Sequence, residues 1–266
     1  MITRKHSLVG FGAAVLLGAV IITAAAWYNR ANAATSVDSG DIIRGQSFSA
    51  VYYMGADGFR YVFPNDKAYF TWYTDFDDVV WITDAELAVI QIGGNVTYKP
   101  GSKMIKINTD PKVYYVGHNG DLYSVASEAS AASLFGSNWN QQIHDVPDGF
   151  FGNYTITGDD VDSEIIALTA PSSSYTINED KNLVAPETMS ITSNGYSPID
   201  VEISAGQTVT FTNNDTAKHT VTADDLTWGS GTLNAGESFT RRFSEEGTFS
   251  FFDSYDSTNS GAVYVN

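Results

Sequence analysis

At 266 residues the chain has room for one to two packed domains, and it carries a formal charge of −17 and no cysteine. So anionic a surface repels nucleic acid and anionic lipid, which removes nucleic-acid binding from the functions to consider. The missing thiol removes disulfides and every thiolate metal site, so stability has to come from packing, for which fifteen Tyr, fifteen Phe and five Trp supply the apolar surface.

The N-terminus sets the compartment. MITRKHS is a short basic segment, residues 8–28 form an uncharged apolar run, and Ala31-Asn32-Ala33 gives the small-x-small pattern of a signal-peptidase site, with Ala34 next. The pattern predicts a signal peptide over residues 1–33. Its competitor is a signal anchor retained through residues 8–28, because that run is long enough to span a bilayer. Either way the remainder lies outside the cytoplasm, since the basic flank stays inside. Only this N-terminal segment would touch a membrane. It holds Arg4, Lys5 and Arg30 and no acid, so its removal takes the charge from −17 to −20. The acids are scattered, as suits solubility in an exported protein.

Residues 44–166 contain an internal repeat. The run Val51-Tyr52-Tyr53-Met54-Gly55-Ala56-Asp57-Gly58-Phe59-Arg60-Tyr61 matches Val113-Tyr114-Tyr115-Val116-Gly117-His118-Asn119-Gly120-Asp121-Leu122-Tyr123. Each copy reads as a hairpin with Asp-Gly or Asn-Gly at its turn. A short helix follows each: Asn65 caps residues 66–73, and Ser124 or Ser127 caps residues 128–135, with Gly136 as the stop. Residues 83–87 and 147–151 agree loosely. Gly93-Gly94-Asn95 and Lys99-Pro100-Gly101 read as turns around a strand at 96–98. Two units, about 48–101 and 104–157, therefore predict an α+β domain of duplicated hairpins and short helices. The pattern YVFPN…W…IGGNVTYKPG…DPKVY resembles a duplicated module of exported proteins from uncultivated bacteria, a resemblance that implies no activity.

No nucleophile elbow, P-loop, dinucleotide fingerprint or zinc-protease helix is present. Asp75, Asp77 and Asp78 start like a calcium loop but lack its Gly and distal Glu, so they read as a solvated acidic turn, as do Asp159, Asp160 and Asp162. His118 and His144 have no second His at ligand spacing and read as surface polar residues. Tyr53, Tyr61, Phe63, Tyr69, Trp72, Tyr73, Phe76 and Trp81 recur at core spacing; a coplanar exposed set would instead form a glycan platform. Asn95, Asn153 and Asn214 head glycosylation sequons.

Residues 167–186, rich in Ser, Pro and Asn, predict a linker. Over residues 187–266 short alternating strands recur at 189–193, 200–204, 208–213, 219–223, 238–243, 247–252 and 262–265, with turn signals between them, which predicts a Greek-key β-sandwich and a mainly β chain overall. The stretches VEISAGQTVTFTNNDTAKHTVTADD and SGTLNAGESFTRRFSEEGTFSFFDSYDSTNSGAVYVN resemble the cupredoxin family of plastocyanin and azurin. That resemblance implies four copper positions. His219 is retained at the first. Asp253 stands where the family has Cys, Asp256 where it has the second His, and Asn259 where it has Met; Gly261 is kept.

Type 1 copper needs two imidazoles and a thiolate in a plane with a weak axial thioether, so this chain cannot build one. One imidazole, two carboxylates and an amide suit a harder divalent ion, which makes one divalent metal ion on His219, Asp253, Asp256 and Asn259 the alternative to no cofactor. Without an ion, Asp253→Ala is expected to alter stability modestly, as for a carboxylate on a surface loop. Three function classes follow. The first is an exported, non-catalytic cell-surface or secreted protein in adhesion, envelope structure or assembly, meeting a protein or glycan at the cell envelope. The second is metal binding in copper handling or electron transfer. The third is a glycan hydrolase using Asp253 and Asp256. The first accommodates most of these features.

Overall fold

The computed structural model describes residues 36–162, 166 and 174–266. The predicted signal segment, and residues 167–173 of the predicted linker, lie outside the described residues. Among the described residues no helix is long and apolar enough to cross a membrane.

The first sheet is built from β1 (Ile42–Gly45), β2 (Tyr52–Met54), β3 (Arg60–Val62), β4 (Val79–Ile82) and β5 (Ile92–Asn95), with α1 (Asp66–Tyr69) and α2 (Asp84–Val89) in its connections. Its order is β4-β1-β2-β3-β5. The second sheet uses β6 (Met104–Ile107), β7 (Tyr114–Val116), β8 (Asp121–Ser124), β9 (Ile143–Val146) and β10 (Thr155–Asp160), with α3 (Glu128–Phe135) and α4 (Asp148–Phe151). Its order is β10-β8-β7-β6-β9, the same arrangement read from the other edge. In each, three antiparallel strands are flanked by two parallel ones.

Local chemistry explains the elements. In the second hairpin Asn119 and Gly120 both take left-handed φ, 54° and 75°, as a tight turn with right-handed strand twist requires. Asn65 caps α1 by accepting from Ala68 N at 2.9 Å, and Ser127, not Ser124, caps α3 by accepting from Ser130 N at 3.1 Å. Thr83 and Glu86 form a capping box on α2. The strand expected at 96–98 lies instead at Ile92–Asn95. Gly93 serves close packing there: a Cβ on it would stand 2.6 Å from Cζ of Tyr61. Val96 and Tyr98 are buried outside any strand. The first sheet also begins at Ile42, ahead of the expected unit boundary, because a four-residue strand of two Ile, Arg and Gly carries little alternation.

Part of the predicted linker is docked. α5 (Ile177–Asp180) has a Thr176–Glu179 capping box, and Ile177 packs among Ile42, Tyr53, Tyr61 and Tyr69 of the first module.

The C-terminal region is a mixed two-sheet sandwich. One sheet, in the order β12-β11-β14-β16, contains β11 (Glu187–Thr192), β12 (Gly195–Ser197), β14 (Thr208–Asn213) and β16 (Ser238–Arg242). The other, in the order β13-β18-β17-β15, contains β13 (Asp200–Ile203), β15 (Thr222–Ala223), β17 (Gly247–Phe252) and β18 (Ser260–Val265). Alternation turns Met189, Ile191, Val209 and Phe211 of one sheet toward Phe251, Val263 and Val265 of the other. Phe211 and Phe251 meet edge to face, with centroids 5.2 Å apart.

Sandwich and first module share a charged joint. The Arg242 guanidinium contacts the Asp57 carboxylate and lies 2.6 Å from the Tyr61 hydroxyl, which itself donates to Asp57 at 2.6 Å. Thr208 Oγ1 donates to the Asp57 carbonyl at 3.0 Å. Asp57 and Tyr61 are buried, so this joint excludes water from most of its charge.

Candidate functional site

The loop 214–218 leaves β14 and returns at His219, whose backbone exchanges two hydrogen bonds with Leu233, at 3.1 and 2.9 Å. Buried Asn213 organises the loop: its amide donates to the carbonyls of Ala217 and Leu233, and its Oδ1 accepts from Asp215 N. Opposite, Asp253 ends β17 and opens the loop to β18, closed by Asp253 N donating to Asn259 O at 3.0 Å. The sandwich therefore brings residue 219 and residue 253 face to face.

His219 is 6% exposed and Asp253 0%. His219 Nδ1 lies 2.6 Å from Asp253 Oδ2, and Nε2 lies 3.1 Å from Asp215 Oδ2. Asp253 Oδ1 accepts from the backbone N of Thr220 at 2.9 Å and of Tyr255 at 3.0 Å. Behind it, Thr220 Oγ1 accepts from Ser254 N at 2.7 Å, and Tyr196 OH donates to Thr220 O at 2.5 Å. A carboxylate at each ring nitrogen favours the imidazolium, the form that can donate to both. Burial opposes that charge, but the hydrogen bonds to Asp253 and then Asp215 outweigh it and raise the His219 pKa above its ordinary value. The His219 bond, aided by Thr216 N, lowers that of Asp215.

The other predicted positions do not join this group. Asp256 is exposed and accepts from Thr258 Oγ1 at 2.7 Å and Thr258 N at 3.1 Å, bonds that lower its pKa. Asn259 donates to Asp256 at 3.3 Å. Its Oδ1 packs against Gly195, where a Cβ would come within 2.9 Å. The four positions thus form a buried pair, His219 with Asp253, and a separate surface turn.

The donor set does not fit a type 1 copper ion, since there is one imidazole and no thiolate. Nor does it present an open harder-ion site. The ring nitrogen facing Asp253 lies 2.6 Å from one of its oxygens, the second Asp253 oxygen is held by two backbone donors, and Asp256 faces Thr258.

Asp253 also overturns one expectation. It is fully buried and accepts at both oxygens, so it is no surface-loop carboxylate and its removal is not a modest change. Asp215 went unnoticed in the sequence because Asn213-Asn214-Asp215 reads first as a turn. An acid four residues before the only His of the sandwich was the available signal.

The remaining candidates divide. Asp75 caps its own turn by accepting from Asp77 N at 3.0 Å. His118 contacts the Tyr175 hydroxyl, which donates to buried Asp180, and His144 lies 3.1 Å from the Tyr98 hydroxyl. Tyr53, Tyr61, Phe63 and Tyr69 are core residues, Trp72 and Tyr73 are half-buried, and Phe76 and Trp81 are exposed. Phe76 stacks on Tyr69 and Trp81 lies under Arg44, so these rings form no common exposed plane. Asn95 and Asn153 bond each other, leaving Asn214 as the exposed sequon residue.

A family model for a cupredoxin-like domain matches residues 165–265. Among solved structures, the chain is similar to a purple cupredoxin from Nitrosopumilus maritimus, at 30% identity over 30% of this chain and 99% of that one, with a TM-score of 0.29. It is similar to an amicyanin in its Cu(I) form, at 21% identity over 30% of this chain and 82% of that one, TM-score 0.29. A copper-containing nitrite reductase from Thermus scotoductus matches at 20% identity over 31% of this chain and 23% of that one, TM-score 0.29. A comparison with curated proteins finds no match.

Proposed function

Given a C-terminal domain that is cupredoxin-like, we propose that this protein is an exported, non-catalytic component of the cell surface or the secreted fraction. In this reading the sandwich has lost its type 1 copper ligands and serves as a structural and binding module in adhesion, envelope structure or assembly. The single observation that carries the reading is the closure of His219 between Asp253 and Asp215. The imidazole that would hold a metal instead donates from both nitrogens, and an ion pair does the cross-linking that a metal gives the loops of such a site. Export is supported by the basic segment, apolar run and Ala31-Asn32-Ala33 of the N-terminus. The partner is a protein or glycan of the envelope.

Metal analysis of the purified protein, followed by Cu(II) and Zn(II) titration, tests this directly. The expected result is substoichiometric metal and no intense visible band on adding Cu(II). One bound equivalent that disappears in Asp253→Ala would move the protein to the metal-binding class.

A further inference from the structure

The joint between first module and sandwich leaves one arginine without an anionic partner. β16 is the free edge of its sheet, and Gln91, just before β5, donates from Nε2 to Thr240 O at 2.8 Å. Beside this bridge opens a cleft of about 460 Å³ whose walls include Phe59, Ile92, Trp228, Thr240, Arg241 and Arg242. Arg242 is committed to Asp57 and Tyr61. Arg241 is not. Its guanidinium lies 4.5 Å from the Trp228 ring centroid and 5.3 Å from that of Phe243, and among the described residues it makes no ion pair and its side chain donates no hydrogen bond. Its Nε is shut off from solvent with no acceptor. Asp225, whose charge it feels, is held by Thr227 N at 3.0 Å and Thr227 Oγ1 at 2.7 Å.

Among the described residues Arg44 and Arg60 also make no ion pair, but they donate to the carbonyls of Phe48 and Leu87, which leaves Arg241 as the arginine whose side chain has no acceptor. Stacking fixes its plane, and partial loss of hydration strengthens its attraction for an anion. The cleft has the size of a small-molecule site. Its lining mixes polar and apolar groups, with Gln91 beside Ile92, and Ile92 is 60% exposed.

We propose that this cleft binds a small organic carboxylate, with Arg241 taking the carboxylate through its two Nη groups and the exposed Ile92 side chain receiving the apolar body. The site is remote from the metal reading of His219 and stands or falls independently of it. Calorimetric titration of the purified protein with N-acetylleucine, its neutral amide N-acetylleucinamide, and inorganic phosphate provides the test. The acid is expected to bind at a single site, the amide at least about tenfold more weakly because the charge-assisted bidentate contact is lost, and phosphate at least about tenfold more weakly because it has no apolar body to set against Ile92. Arg241→Gln is expected to abolish binding of the acid. Ile92→Glu, which adds a negative charge at an exposed position and leaves the Arg241–Trp228 stack intact, is expected to weaken it by at least about tenfold while keeping the thermal midpoint. Equal binding of acid and amide, equal binding of phosphate, absence of saturation at millimolar ligand, or unchanged affinity in Ile92→Glu overturns the proposal.

Discussion

Two of the buried charged clusters of this molecule, those around Asp57 and Asp253, are built in opposite ways. At the joint, Asp57, Tyr61 and Arg242 combine one carboxylate with a permanently charged guanidinium drawn from a different module. At the rim of the sandwich, Asp215, His219 and Asp253 combine two carboxylates with a group whose charge depends on pH. At the rim every buried side-chain polar atom of the cluster has a partner, whereas at the joint Arg242 Nε is buried without one. The first fixes how two modules meet. The second links two loops of the sandwich through one imidazole and two carboxylates.

Breaking each cluster separates their contributions. The largest effect is expected for Asp253→Ala, which removes the buried partner of His219 Nδ1 and of the N–H groups of Thr220 and Tyr255 and leaves Asp215 as the one carboxylate on the ring; roughly 3–5 kcal/mol should be lost in chemical denaturation. A loss near zero would restore the surface-loop view of Asp253. Asp57→Ala should cost about 3 kcal/mol, at the lower end of the range for breaking a buried pair because Arg242 is partly solvated. Its denaturation curve should also broaden or split as module and sandwich uncouple, whereas the curve for Asp253→Ala should remain a single transition.

The pH response sharpens the contrast. Pairing raises the folded-state pKa of His219 above the unfolded value of about 6.5, so its contribution is complete below about pH 6.5 and drains away as pH rises through the folded value. Asp215 behaves oppositely: its lowered pKa adds stability above about pH 3.9 that is lost as pH falls through the folded value. The thermal midpoint should therefore drop between about pH 6 and pH 9 in the native protein. In His219→Gln that slope should flatten, and Asp57→Ala should keep it. The smallest effect belongs to Asp256→Ala, whose exposed carboxylate serves only its own turn; no measurable shift in stability is expected, and a large one would bring Asp256 back into the site.

What the sequence disclosed follows from how local each signal is. Hairpin turns, helix caps and strand alternation are short-range, so Asp57-Gly58, Asn119-Gly120, Asn65 and the strands around Phe211 and Phe251 could be read directly. Position 253 could be placed at the site by resemblance, but its burial could not, because that depends on β17 meeting the loop after β14. The Arg242–Asp57 joint was illegible for the same reason: its partners are 185 residues apart and neither carries a motif. The glycines at 93 and 94 misled, since a turn and a close approach to Tyr61 leave the same residue in the sequence.

The most direct test of the proton-closed site is nitrogen-15 NMR of the His219 ring at about pH 6, near the ordinary histidine pKa, with and without one equivalent of Zn(II). Both ring nitrogens should carry hydrogen, with slowly exchanging N–H signals toward Asp253 and Asp215 that Zn(II) leaves in place. Loss of the Nδ1 proton on adding one equivalent, with a metal-bound shift at that nitrogen, would contradict the ion-pair closure and make His219 a working ligand.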